Sequence, residues 1–140
     1  MSLTIEPMTP GSYDQVIALW QAAEGVGLSE ADSREAIAQY LARNPGLSLV
    51  ALQDGQLVGA VLCGHDGRRG YIHHLAVRPE ARRQGIGRRL VQECLAGLDL
   101  QGIHKCHLFV FRRNEEAIAF WQAIGFTERI ELSMMSTYTA

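Results

Sequence analysis

The sequence predicts a single mixed α/β domain, and three observations carry that expectation. Strand-like and helical periodicities follow one another in the order β, α, α, three strands, α, β, α, β. With 140 residues, 47% of them hydrophobic, the chain can bury one sizeable core and is too short for two ordinary domains. No repeat, linker or low-complexity segment interrupts the pattern.

Leu3 to Met8 alternates as a short strand until Thr9-Pro10-Gly11-Ser12 breaks it. Tyr13 to Ala23 carries Val16, Ile17, Leu19 and Trp20 at helical spacing, which favours a core place for Tyr13 and Trp20 over a pocket one. A second helix is expected from Ser29 or Asp32 to Asn44, ended by Pro45-Gly46. Leu47 to Leu52 and Gln56 to Cys63 form strands joined at Asp54-Gly55, a strong two-residue hairpin signal. Asp66-Gly67-Arg68 then turns the chain into the strand Tyr71 to Val77. An amphipathic helix follows from about Ile86 to Leu98, and Lys105 to Phe111 forms another strand. Glu115 to Ile124 is helical, capped by Asn114 and ended by Gly125, and Phe126 to Ser136 is expected as the last strand or strand pair.

A formal charge of −2 argues against a general nucleic-acid binder, yet seven of the thirteen basic residues lie between Arg68 and Arg89. That is a local anion patch. Every basic residue except Lys105 is an arginine, which suits bidentate phosphate contacts and is equally explained by compositional bias. Cys63, Cys94 and Cys106 are odd in number and match neither paired disulfides nor a zinc ribbon, so reduced core thiols are expected. No apolar run approaches membrane-spanning length and the N-terminus lacks signal-peptide regions, which predicts a soluble cytoplasmic protein without a membrane partner.

The most informative segment is Arg82-Arg83-Gln84-Gly85-Ile86-Gly87-Arg88-Arg89, directly after the strand. Gly85 and Gly87 permit a tight turn whose N–H groups converge on a phosphate, and the following helix adds its positive end. No third glycine completes a dinucleotide fingerprint, and no Gly-Lys-Ser/Thr is present. Leu75-Ala76-Val77-Arg78-Pro79 followed by Arg82-x-x-Gly85-x-Gly87 resembles the GCN5-related N-acetyltransferases (GNAT), a likeness that covers nearly the whole chain and is strongest from Tyr71 to Phe126. It implies an acyl-CoA N-acyltransferase fold, acetyl-CoA as cosubstrate, no metal, and a primary amine of a small molecule, amino-acid derivative or peptide as acceptor.

The resemblance further implies where acetyl-CoA sits. Two central strands splay at a bulge, and the pantetheine arm pairs with the exposed backbone of Leu75, Ala76 and Val77. The amides of Arg83, Gln84, Gly85, Ile86, Gly87 and Arg88 hold the pyrophosphate, Arg82 or Arg83 supplies charge, and Arg88 is in reach of the same phosphates or the ribose phosphate. Asn114 matches the family's N-x-x-A pattern and meets the pantetheine, a role that competes with helix capping.

Transfer to an amine needs a neutral nucleophile, a proton acceptor and a donor for the oxyanion, which the family takes from the Leu75 to Val77 backbone. The family's usual acid is a tyrosine four residues before Gly-Phe, and here that position is Trp121, whose indole is too weakly acidic for that role and is expected as a cofactor contact that can still donate a hydrogen bond. Phe109 stands where ribosomal-protein alanine acetyltransferases carry a base glutamate, which disfavours that activity. The resemblance places the base just before Leu75-Ala76-Val77, where several family members carry glutamate and the arylalkylamine acetyltransferases histidines, which makes Tyr71, His73 and His74 the candidate catalytic residues. Strict alternation puts Tyr71 and His73 on one strand face and His74 on the other, so His73 is the first choice of base unless a bulge intervenes. Glu24, Glu30 and Asp32, between the first two helices, make the acceptor region acidic, which favours a cationic acceptor and is equally explained by helix-start electrostatics. An exposed sheet edge is compatible with a homodimer. The rival reading, kept alive by Trp121, is a catalytically weak acyl-CoA-binding regulatory or scaffold module.

Overall fold

The structure is a computed structural model and describes residues 2–140. The chain forms two compact units, one running to Phe109 and the other from Val110 to Ala140.

The first unit is built on a five-stranded sheet in the order β1 to β5. Its strands are β1 (Leu3–Pro7), β2 (Leu49–Gln53), β3 (Gln56–His65), β4 (Gly70–Val77) and β5 (Cys106–Leu108). Neighbours pair antiparallel from β1 to β4, and β5 joins β4 in parallel. Asp54 and Gly55 turn β2 into β3 with φ of 52° and 83°, the mirror-image turn whose twist matches the strands. β3 is buried from Leu57 to Gly64, as a central strand covered on both faces must be.

Helices α1 (Tyr13–Ala22) and α2 (Arg34–Arg43) send Val16, Leu19, Trp20, Ile37 and Leu41 into a core with Val50, Ala60 and Leu62 of the sheet. Helix α3 (Ile86–Leu100) packs Ile86, Leu90, Val91, Cys94 and Leu98 from the other face. The helix expected from Ser29 or Asp32 is split at its start. A 3-10 turn over Glu30–Asp32 comes first, and Ser33, whose Oγ accepts the Ala36 N–H at 3.1 Å, starts α2. All three cysteines are free, with Cys63 and Cys94 buried. Burial pushes the Cys106 thiol up to about 12.

The expected strand Lys105 to Phe111 is shortened to Cys106–Leu108. Its ladder pairs only Gly70, Tyr71 and Ile72 of β4, because β4 carries a bulge just beyond. Ala60 faces Ala76 while Leu62 faces His73, so the two β4 residues His74 and Leu75 stand opposite Val61 alone. The inserted residue bends the strand and ends the pairing.

In the second unit, α4 (Glu115–Ala123) begins at Asn114, whose Oδ1 accepts the Ala117 N–H at 3.1 Å. The strand or strand pair expected over Phe126 to Ser136 is absent: no ladder includes these residues, and Ile130, Leu132, Met134 and Met135 are exposed. Alternating apolar residues mark which side chains can share a face, but a strand exists only where its N–H and C=O groups find a neighbour. Among the described residues no helix is long and apolar enough to cross a membrane.

Candidate active site

The turn after β4 has the shape its glycine requires. Arg83 and Gly85 both adopt left-handed backbone, with φ of 64° and 77°, and Gly85 is the N-cap of α3. The first N–H returned to the helix is that of Arg89, bonded to the Gly85 carbonyl at 3.0 Å. The N–H groups from Arg83 to Arg88 therefore have no acceptor among the described residues, and they gather at the positive end of a helix.

Nearby side chains divide the work. Arg82 Nε donates to the Val77 carbonyl at 3.3 Å and Gln84 Oε1 accepts from Gln53 Nε2 at 2.8 Å, which braces the turn. Arg89 pairs with Glu93 at 3.0 Å, one helical turn on. Arg83 and Arg88 have no such partner among the described residues and remain free to meet an anion. Upstream, Leu75, Ala76 and Val77 lie past the end of the β5 ladder, so their backbone is not paired to β5.

A cavity of about 530 Å³ opens on the α2 side of the same strand, walled by Ser29, Asp32, Tyr40, Arg43, His73 and His74 among others. Both histidines reach it. His74 has φ of 57°, unusual for a residue with a Cβ, and the bulge shifts strand alternation by one residue. Strict alternation would send the two rings to opposite faces, and the intervening bulge is what brings both to this cavity.

The two imidazoles sit in unlike surroundings. His73 is ringed by aromatic groups: Tyr71 and Phe109 stack on it at 6.3 and 6.2 Å, and Tyr40 meets it edge-on at 6.4 Å. Burial, reinforced by the neighbouring His74, lowers its pKa below the usual imidazole value. Burial also raises the Tyr40 hydroxyl, which stays a phenol. His74 instead bonds through Nε2 to Asp32 Oδ1 at 2.9 Å, and its ring meets Trp20 at 5.0 Å.

Asp32 is 6% exposed, and its second oxygen accepts the Ser29 N–H at 3.0 Å. Of the acidic residues expected to colour the acceptor region, Asp32 alone lines the cavity, with both oxygens engaged; Glu24 and Glu30 are exposed elsewhere. Trp20 is fully buried core, as its helical stripe predicts, and Tyr13 donates its hydroxyl to the Asp32 carbonyl at 2.7 Å.

Sequence reasoning did not find the Asp32–His74 pair, Tyr40 or Arg43. The spacing of Ala36, Tyr40 and Arg43 along one α2 face was the available signal for the wall. Asn114 and Trp121 belong to the second unit, where Asn114 caps α4 and Trp121 packs edge-on against Phe120 and Phe126 at 5.1 Å each.

A family model described as acetyltransferase (GNAT) family matches residues 13–126. An acetyltransferase of Pectobacterium atrosepticum is 32% identical over 114 residues, covering 81% of this chain and 80% of the relative. One from Photorhabdus laumondii is 30% identical over 123 residues, covering 88% and 85%. Among solved structures, the PaiA N-acetyltransferase of Thermoplasma acidophilum in complex with coenzyme A aligns with a TM-score of 0.78 at 23% identity, covering 91% of each chain.

Proposed function

The chain belongs to the acetyltransferase (GNAT) family, and from that premise we propose that it transfers acetyl from acetyl-CoA to a primary amine within a ternary complex. The acceptor is a small molecule, an amino-acid derivative or a peptide. The observation that carries this reading is the run of unpaired N–H groups from Arg83 to Arg88, beside two free arginines and downstream of a strand segment that β5 leaves unpaired. Those amides receive the pyrophosphate, with Arg82, Arg83 and Arg88 adding charge, and Leu75 to Val77 offer backbone groups to the pantetheine amides.

The cavity beside His73 and His74 receives the amine. An alkylamine is mostly protonated near neutral pH, so it must lose a proton before its lone pair can attack the thioester carbon. His73 takes that proton, its lowered pKa keeping the ring neutral and ready. Strand N–H groups meet the oxyanion, and with Trp121 unable to act as acid the thiolate leaves as the anion or takes its proton from water. Trp121 also favours the second reading, an acyl-CoA-binding module with weak catalysis.

Calorimetric titration with acetyl-CoA tests the cradle first. Wild type should bind at micromolar affinity and Gly85→Glu should not, since glutamate strains the left-handed turn and brings a negative charge to the phosphate site. Absence of binding by wild type overturns the reading. Acetylation of primary amines by wild type, lost in His73→Ala, then separates the enzyme from the binding module.

A further inference from the structure

Resting on the reading that the cavity receives the acceptor amine, we propose that Asp32 is a positioning residue and His74 a second imidazole that touches the amine. Asp32 fixes His74 in the tautomer with hydrogen on Nε2, which leaves the Nδ1 lone pair facing the cavity.

The geometry gives Asp32 no freedom to do otherwise. A carboxylate accepts, so its bond to Nε2 at 2.9 Å places the hydrogen on that nitrogen. Its other oxygen is held by the Ser29 N–H and its own carbonyl by the Tyr13 hydroxyl, so the group cannot turn away. Nδ1 of His74 has no protein partner, yet among the described residues the one buried side-chain nitrogen or oxygen without a partner is Trp20 Nε1. Nδ1 is therefore accessible, and the cavity is the space that His74 lines. The edge-on contact with Trp20 fixes the ring plane, and the left-handed backbone at His74 is a strained conformation that the neighbours must hold.

The reaction has a use for a second acceptor. An ammonium that becomes an amide sheds two protons, one before it attacks and one after the carbon–nitrogen bond has formed. His73 takes the first. The tetrahedral adduct's nitrogen passes the second to His74 Nδ1 as the carbon–sulfur bond breaks. Of the two protons, one ends on the departing thiolate through water and one in solvent, which balances ammonium plus thioester against amide, thiol and a released proton. Before attack, an N–H donated to Nδ1 also orients the nitrogen lone pair.

Long-range nitrogen–proton NMR of labelled wild type reads the tautomer without any substrate. His74 should show hydrogen on Nε2; hydrogen on Nδ1, or an equal mixture, overturns the proposal. In Asp32→Asn the carboxamide oxygen stays with the Ser29 N–H, so its NH2 faces His74 and the tautomer inverts. With putrescine, tyramine and alaninamide as acceptors, this variant should lose roughly 10²-fold in kcat while its acetyl-CoA affinity is unchanged. Unchanged kcat, or a change confined to KM, overturns the catalytic role. His74→Gln, which still donates to Asp32 but offers no basic nitrogen, should lose kcat to a similar extent, and keeps the test open if Asp32→Asn does not fold. If wild type binds acetyl-CoA yet acetylates no amine, the transferase reading falls, whereas the NMR arm still decides whether Asp32 positions His74.

Discussion

His73 can accept a proton only while its ring is neutral, and its partial burial among Tyr71, Phe109 and Tyr40 disfavours the charged form. His74 lowers its pKa further, whereas Asp32 opposes that shift more weakly. Around the cavity the remaining titratable or charged groups are Tyr40 and Arg43 of α2, and Tyr71 and His107 adjoin the ring stack. The acid limb of kcat/KM should accordingly fall below the ordinary imidazole value of about 6.5. In His74→Gln the limb should move upward toward it, through whatever activity remains, because the lowering neighbour is gone. A limb above 6.5 in wild type, or a downward shift in the variant, would contradict His73 as base. The same depression links to stability: the unfolded chain binds this proton more readily, so its contribution is intact above about 6.5 and is lost as pH falls through the folded value.

At the scale of elements, Asn114 separates two roles that one side chain can combine. Its Oδ1 caps α4 through the Ala117 N–H, while its NH2 has no bond within the second unit and is the group that the proposed pantetheine contact would use. Asn114→Asp keeps the cap and removes the donor. Its unfolding midpoint should match wild type while acetyl-CoA affinity falls about tenfold; equal affinity in a calorimetric titration would leave Asn114 a cap alone. This cap was legible in the sequence, as were the Asp54-Gly55 turn and the glycine loop, because each is decided by a few adjacent residues. The bulge was expected only through the family resemblance and not from the residues of β4, since an inserted residue at His74 is a property of β4 paired with β3 rather than of β4 itself. Nor was the Asp32–His74 bond legible, its partners lying 42 residues apart. The alternation from Phe126 to Ser136 misled for the complementary reason: it specifies a face without supplying an edge to pair with.

For the whole molecule, the uneven distribution of burial sets an order of opening that amide hydrogen exchange can read. β3, buried along nearly its full length and hydrogen-bonded on both sides, should exchange last and report global unfolding. α4 has no fully buried residue, and residues 126–140 belong to no ladder, so both should exchange early. The Arg83 to Arg88 amides form an exception worth measuring, because they adjoin a well-packed helix and yet lack acceptors. They should exchange quickly in the free protein and slow by at least tenfold in saturating acetyl-CoA, since a bound phosphate supplies the acceptor they lack. Protection that spreads equally over β1 and β2 would instead show only general stabilisation by ligand binding, which at a hundred times the dissociation constant amounts to about 2.7 kcal/mol. Protection confined to the loop ties cofactor affinity to six backbone groups, and it explains how a chain of net charge −2 can hold a polyanion with a local, not a global, positive field.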